Sequence, residues 1–100
     1  MKKIAADYPA AYALYKARSI RNIVDYFDSI GIRILPFYGA PGTFGINVYR
    51  KKTKAESIGD IDWKMIRVTH INSYCTRKEA VDVGIIMAFD IHEDRIKQEN

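Results

Sequence analysis

Apolar and polar positions alternate with three different rhythms along the chain. From Ile20 to Ile30 the apolar residues Ile20, Ile23, Val24, Phe27 and Ile30 recur every three or four positions, which is one face of a helix. Asp7 or Pro9 opens that helix, since aspartate caps and proline suits a first turn; Gly31 closes it. One long helix over this stretch is the expectation, with Arg21 and Asp25 as an i,i+4 pair on its outer side. "IRILPFY" (32–38) then reads as a strand whose Pro36 end lies at an edge or bulge, because proline donates nothing to a ladder. "GAPG" (39–42) is a turn, and "TFGINVYR" (43–50) a second strand with Phe44, Ile46 and Val48 on one face. After the polar, mobile-looking "KKTKAESIGD" (51–60), "DWKMIRVTHI" (62–71) predicts a third strand. Ile66 and Val68 face one way there, Trp63 and Met65 the other.

The last element begins at Thr76. Thr76 followed by Glu79 is a capping box. Beyond it Ala80, Val81, Val83, Gly84, Ile85, Met87, Ala88 and Ile91 cover more than half of a helix's circumference, with Phe89 at the border. Such a helix needs cover on more than one side: the sheet on one, the first helix on a flank where Gly84 permits close approach. The remaining arc, roughly 80° wide at 100° per residue, holds Glu79, Asp82, Ile86, Asp90 and Glu93. Four stacked carboxylates around one aliphatic residue form a candidate interaction stripe for a basic partner.

The element order is α-β-β-β-α. The expected fold class is α+β: a three-stranded, mainly antiparallel sheet packed by an N-terminal and a C-terminal helix, in a single domain over residues 1–100. The expected core contains Ile20, Ile23, Val24, Phe27, Ile46, Val48, Ile66, Val68, Val81, Ile85, Met87 and Ala88.

Charge sharpens this reading. Residues 1–54 hold ten Lys/Arg against three acidic residues (+7), and residues 55–100 hold six against nine (−3). Such a split suits head-to-tail self-association or a nucleic-acid face at one end. The one basic run is "YRKKTK": Tyr49 for stacking, with Arg50, Lys51, Lys52 and Lys54 for phosphates. Arg77 and Lys78 add a second basic point.

Catalytic and metal motifs are weak. "GAPGTFG" lacks the Gly-Lys-Ser/Thr ending of a phosphate loop and joins two strands. Cys75, His70 and His92 have no zinc spacing, and no nucleophile elbow is present. The reading is therefore non-enzymatic, with no cofactor and no metal. One cysteine and no apolar run of membrane-spanning length point to a reducing, cytoplasmic setting without a signal peptide. The expected partner is a protein or a second copy of the chain, with nucleic acid as the alternative and no membrane.

Two resemblances add to this. The order of elements resembles that of the double-stranded RNA-binding domain. Thr76, Arg77, Lys78 and Ala80 look like the start of that family's phosphate-gripping last helix, with Val81 in place of the motif's final lysine. "GAPGT" stands where the family places its minor-groove loop, without the family's histidine. The second resemblance is "YCTRKEAVDVGIIMAF" (74–89). It is similar to a Y-x-T-x-x-E-A step into a Gly-Ile-x-x-Ala-Phe helix in small uncharacterised proteins of bacteriophages and mobile elements. That resemblance implies a small accessory or structural protein, in the host cytoplasm or the virion, and transfers no active site.

Overall fold

The computed structural model describes residues 2–18, 20, 22–39, 42–51, 63–68 and 74–99, with side chains for all of these except 63–68 and 99. Helices α1 (Lys2–Asp7), α2 (Pro9–Ala17) and α3 (Ile23–Ser29) precede strands β1 (Ile32–Tyr38) and β2 (Phe44–Lys51). Strand β3 (Trp63–Val68) and the long helix α4 (Arg77–Glu99) follow. The architecture is α+β, as the sequence implies: N-terminal helices, the antiparallel β1–β2 pair and the long C-terminal helix packed on it. The backbone of β3 continues the sheet on the other side of β2, in the order β1-β2-β3.

The single long helix expected from Asp7 or Pro9 to Gly31 starts at Pro9 but is corrected to two, α2 and α3, with α1 as a further helix ahead of it. Pro9 disfavours helical backbone at the preceding residue, and Tyr8 sits at φ −131°, ψ 62° between α1 and α2. The break inside the expected helix lies before Asn22, which is extended (φ −92°, ψ 121°) and accepts from the amides of Val24 and Asp25 at 2.9 and 3.4 Å. Asparagine is among the strongest N-caps, and it restarts the helix inside an otherwise helical apolar rhythm. Arg21, half of the expected Arg21–Asp25 pair, lies outside the described residues. Gly31 does end the segment, at φ +82°.

The hairpin explains Pro36. Gly39 donates to the Thr43 carbonyl at 3.1 Å and Lys51 to the Gly31 carbonyl at 3.0 Å. These two bonds bracket the β1–β2 ladder, so every second residue between them, Arg33, Leu35 and Phe37, exchanges bonds with β2. Ile32, Ile34, Pro36 and Tyr38 turn their backbone polar groups to the free edge. Pro36 lacks an N–H where none is needed for the ladder, and it blunts that edge. Ala40 and Pro41 of the turn lie outside the described residues.

Ile32, Ile34, Ile46 and Val48 form the sheet's buried face, 0–2% exposed. α4 lies on that face along Ala80, Gly84 and Ala88, one residue per turn with little or no side chain. A Cβ built on Gly84 would stand 2.6 Å from Ile34 Cγ2 and 2.7 Å from Ile46 Cγ1. Gly84 therefore admits the sheet, not the first helix as the sequence suggested. On the flank, Phe89 packs edge-on to Phe27 (ring centroids 4.9 Å) and Tyr15 (5.9 Å), and also meets Tyr8 and Tyr12. The observed core is Ala11, Tyr26, Phe27, Ile32, Ile34, Ile46, Val48, Ala80, Ala88 and Phe89. Ile20, Ile23, Val24, Ile85 and Met87 pack against it half-buried, as does Ile91, and Val81 is also half-buried. Expected core residues Ile66 and Val68 lie outside the described side chains, as do Trp63 and Met65.

Candidate functional site

The acidic stripe is not a continuous surface. Glu79 is occupied as a cap: Thr76 Oγ1 accepts from the Glu79 amide at 3.1 Å, and a Glu79 oxygen accepts from the Cys75 amide at 3.3 Å. Asp82 pairs with Lys78 at 3.7 Å, one turn back on the same helix. Asp90 is half-buried. Glu93 is 4% exposed and turned inward. Its two oxygens accept from the amides of Ala10 (3.3 Å) and Ala11 (2.7 Å), at the start of α2. Tyr8, at the cap position of α2, makes no side-chain cap bond. Glu93 thus closes the open N-terminus of α2 from 82 residues away and places its charge at the positive end of that helix. Glu79, Asp82 and Ile86 stay exposed, Ile86 at 46%. Ile86 stands beside Lys3, Ile4, Asp7 and Tyr8 around a cleft of about 300 Å³, and so belongs with α1 and not with a band of carboxylates.

His92 is also corrected, from a polar residue near the helix end to a core residue. It is 7% exposed, and its Nε2 shares a hydrogen bond with the Tyr26 hydroxyl at 2.9 Å. Burial pushes the Tyr26 phenol above its ordinary pKa of 10.0, and the positive charge of Arg18 opposes that rise. His92 and Glu93 are thereby committed to holding α4 against α3 and α2. Cys75 is exposed at the far end of α4, and His70 lies outside the described residues. Among the described residues no group of three His, Cys, Asp or Glu is arranged to hold a metal ion.

The candidate basic surface is divided as well. Phe44 exchanges backbone bonds with Tyr74, which places the start of α4, with Arg77 and Lys78, at one end of β2. Tyr49, Arg50 and Lys51 lie at the other end. There Arg95 donates to the carbonyls of Ile30 and Gly31 at 2.9 and 3.4 Å and closes the end of α3. Six residues of strand separate the two ends, about 20 Å. The run is also split between faces. Arg50 lies on the helix side, around a cleft with Ile91, Asp94, Arg95 and Gln98. Tyr49 and Lys51 lie opposite. Lys52 and Lys54 fall outside the described residues.

A different surface comes together on the sheet face turned away from α4. Cross-strand register puts Arg33 beside Tyr49, Leu35 beside Asn47, and Phe37 beside Gly45. The Phe37 ring lies over Gly45 so closely that any Cβ there would collide with it. Leu35 is 46% exposed, and Lys51 is exposed at the end of the same face. Tyr49, Phe37 and Asn47 are half-buried, and Asn47 Oδ1 is itself buried, with no hydrogen-bond partner among the described residues. Arg33 pairs with Asp28 of α3 at 3.1 Å, with side chains 40% and 49% exposed. The described positions of the face carry two cations, two aromatic rings, an amide and a leucine, and no carboxylate. Period-two alternation in "IRILPFY" and "TFGINVYR" holds this information; attention to the apolar face leaves its complement unread.

No family model, no curated protein and no solved structure significantly matches the chain. No described helix is long and apolar enough to cross a membrane.

Proposed function

We propose that the protein is a non-enzymatic binding module and that the sheet face opposite α4 is its contact surface. The observation that carries this is Leu35, nearly half exposed in the middle of β1 while the buried face of the same strand is filled by helix packing. A single exposed leucine is ordinary on a protein surface. One set between cross-strand aromatic and cationic neighbours is the composition of a contact patch. The interior polar groups His92 and Glu93, by contrast, are engaged in holding helices together. The small accessory role implied by the resemblance of residues 74–89 to phage and mobile-element proteins is compatible with such a module.

The test is absolute molar mass by light scattering on a sizing column, recorded with the 260/280 nm absorbance ratio, for the natural chain and two variants. Leu35→Asp and Ile86→Asp each put a charge on one candidate surface. The reading expects a bound or assembled species that Leu35→Asp abolishes and Ile86→Asp preserves, with both variants folded by circular dichroism. The reverse order would move the contact surface to the α1–α4 cleft. A bare monomer for all three would remove the basis for a binding module of this kind.

A further inference from the structure

Building on the open face as the contact surface, we propose that its occupant is a single-stranded nucleic acid, with bases against Tyr49 and Leu35 and phosphates on Lys51 and Arg33. Charge decides first. Every charged group at the described positions of the face is a cation. Two copies meeting face to face would bring the Lys51 ends together with no carboxylate at the described strand positions, the Asp28 carboxylate being already paired with Arg33, and like charges across an interface are disfavoured. The occupant is therefore anionic. Arg33 is paired with Asp28, with side chains 40% and 49% exposed, and a pair that reaches solvent to this extent is weak enough for a phosphate to compete with.

Shape and chemistry decide next. A duplex hides the faces of its bases, so a half-buried tyrosine near the end of the central strand has nothing to stack on, whereas a single strand presents them. Tyr49 stands directly across from Arg33, and this juxtaposes a ring for a base and a guanidinium for the neighbouring phosphate. A run of acidic side chains satisfies the cations but gives the Tyr49 ring no planar face to stack on.

The experiment is fluorescence polarisation of a labelled twelve-nucleotide oligo-dC across a salt series, with the same-length duplex and poly-glutamate as competitors. Oligo-dC supplies both stacking faces and phosphates. Two phosphate contacts on a single strand give a slope of about −1.4 in log K against log salt, and Lys51→Gln lowers it to about −0.7. Tyr49→Ala weakens binding roughly five- to 150-fold with the slope unchanged. Lys51 has an exposed side chain, so its variant remains informative if Tyr49→Ala loses its fold. Poly-glutamate or duplex competing as well as the single strand, with Tyr49→Ala binding normally, would overturn the nucleic-acid assignment. So would absence of oligo-dC binding. If Leu35→Asp still abolished assembly in either case, the open face would stand with a different occupant. If it did not, the contact surface itself would be wrong.

Discussion

Replacing Glu93 tests the least expected feature of the interior. Its carboxylate accepts from the buried Ala11 amide at 2.7 Å and from the Ala10 amide at 3.3 Å. Ala11 is 0% exposed, so water cannot take over as acceptor once the carboxylate is gone. A hydrogen bond to a charged acceptor contributes about 1.5–3 kcal/mol, and the longer bond adds about 0.5–1 kcal/mol. Loss of the side chain's methylenes adds to the cost, and release of a buried charge subtracts from it. Glu93→Ala should thus destabilise by about 2–4 kcal/mol, equivalent to a Tm lower by roughly 8–30 °C in a domain of this size. Glu93→Gln keeps one carbonyl oxygen for Ala11 but turns an NH2 toward the Ala10 amide, and should cost less, about 1–2 kcal/mol. Asp82→Ala is the control. Its carboxylate makes an exposed pair with Lys78, and its removal should change stability by less than about 0.5 kcal/mol. Urea denaturation followed by circular dichroism reads all three. A Glu93→Ala variant within about 0.5 kcal/mol of the natural chain would mean that the carboxylate faces water and that α2 is capped some other way.

Gly84→Ala gains about 1 kcal/mol of helix propensity but drives a methyl into Ile34 and Ile46, whose contacting atoms lie on or next to branched Cβ atoms. A net loss of about 1 kcal/mol in urea denaturation is expected; a net gain of that size would show that α4 can lift from the sheet. The natural chain should lose stability as pH rises above 10.0. The unfolded Tyr26 phenol ionises there, while the buried one holds its proton to a higher pH, so unfolding releases protons. Tyr26→Phe should cost about 1 kcal/mol at neutral pH through the lost bond to His92 and should remove its share of the alkaline decline. A decline of equal steepness in Tyr26→Phe would refute that linkage. Ile86→Asp should cost less than about 1 kcal/mol, because the side chain is already half in solvent; a loss above 2 kcal/mol would place it in the core.

Strand positions were legible because two turn glycines and period-two alternation leave little freedom: β1 runs over the residues read as a strand, and β2 differs by one residue at each end. The capping box at Thr76 was legible because its two bonds are local in sequence. The break before α3 was not. Asn22 carries no glycine or proline beside it, and the apolar rhythm of Ile20, Ile23 and Val24 runs straight through the cap. Glu93 was misread for a related reason. Its position one turn beyond Phe89 marks the buried face, but the amides that justify burying a carboxylate belong to a helix 82 residues earlier. The aromatic cluster was half visible: Tyr8, Tyr12 and Tyr15 recur at helical spacing, and what they enclose is decided only when α4 brings Phe89 between them.

The sharpest test of where this protein binds is an amide chemical-shift map recorded residue by residue during titration with the single-stranded oligonucleotide. The account predicts saturable shifts at Arg33, Leu35, Asn47, Tyr49 and Lys51, with the surfaces of α1 and the start of α4 unmoved. Shifts concentrated at Arg77 and Lys78, or around Ile4, Tyr8 and Ile86, with a silent sheet face, would contradict it.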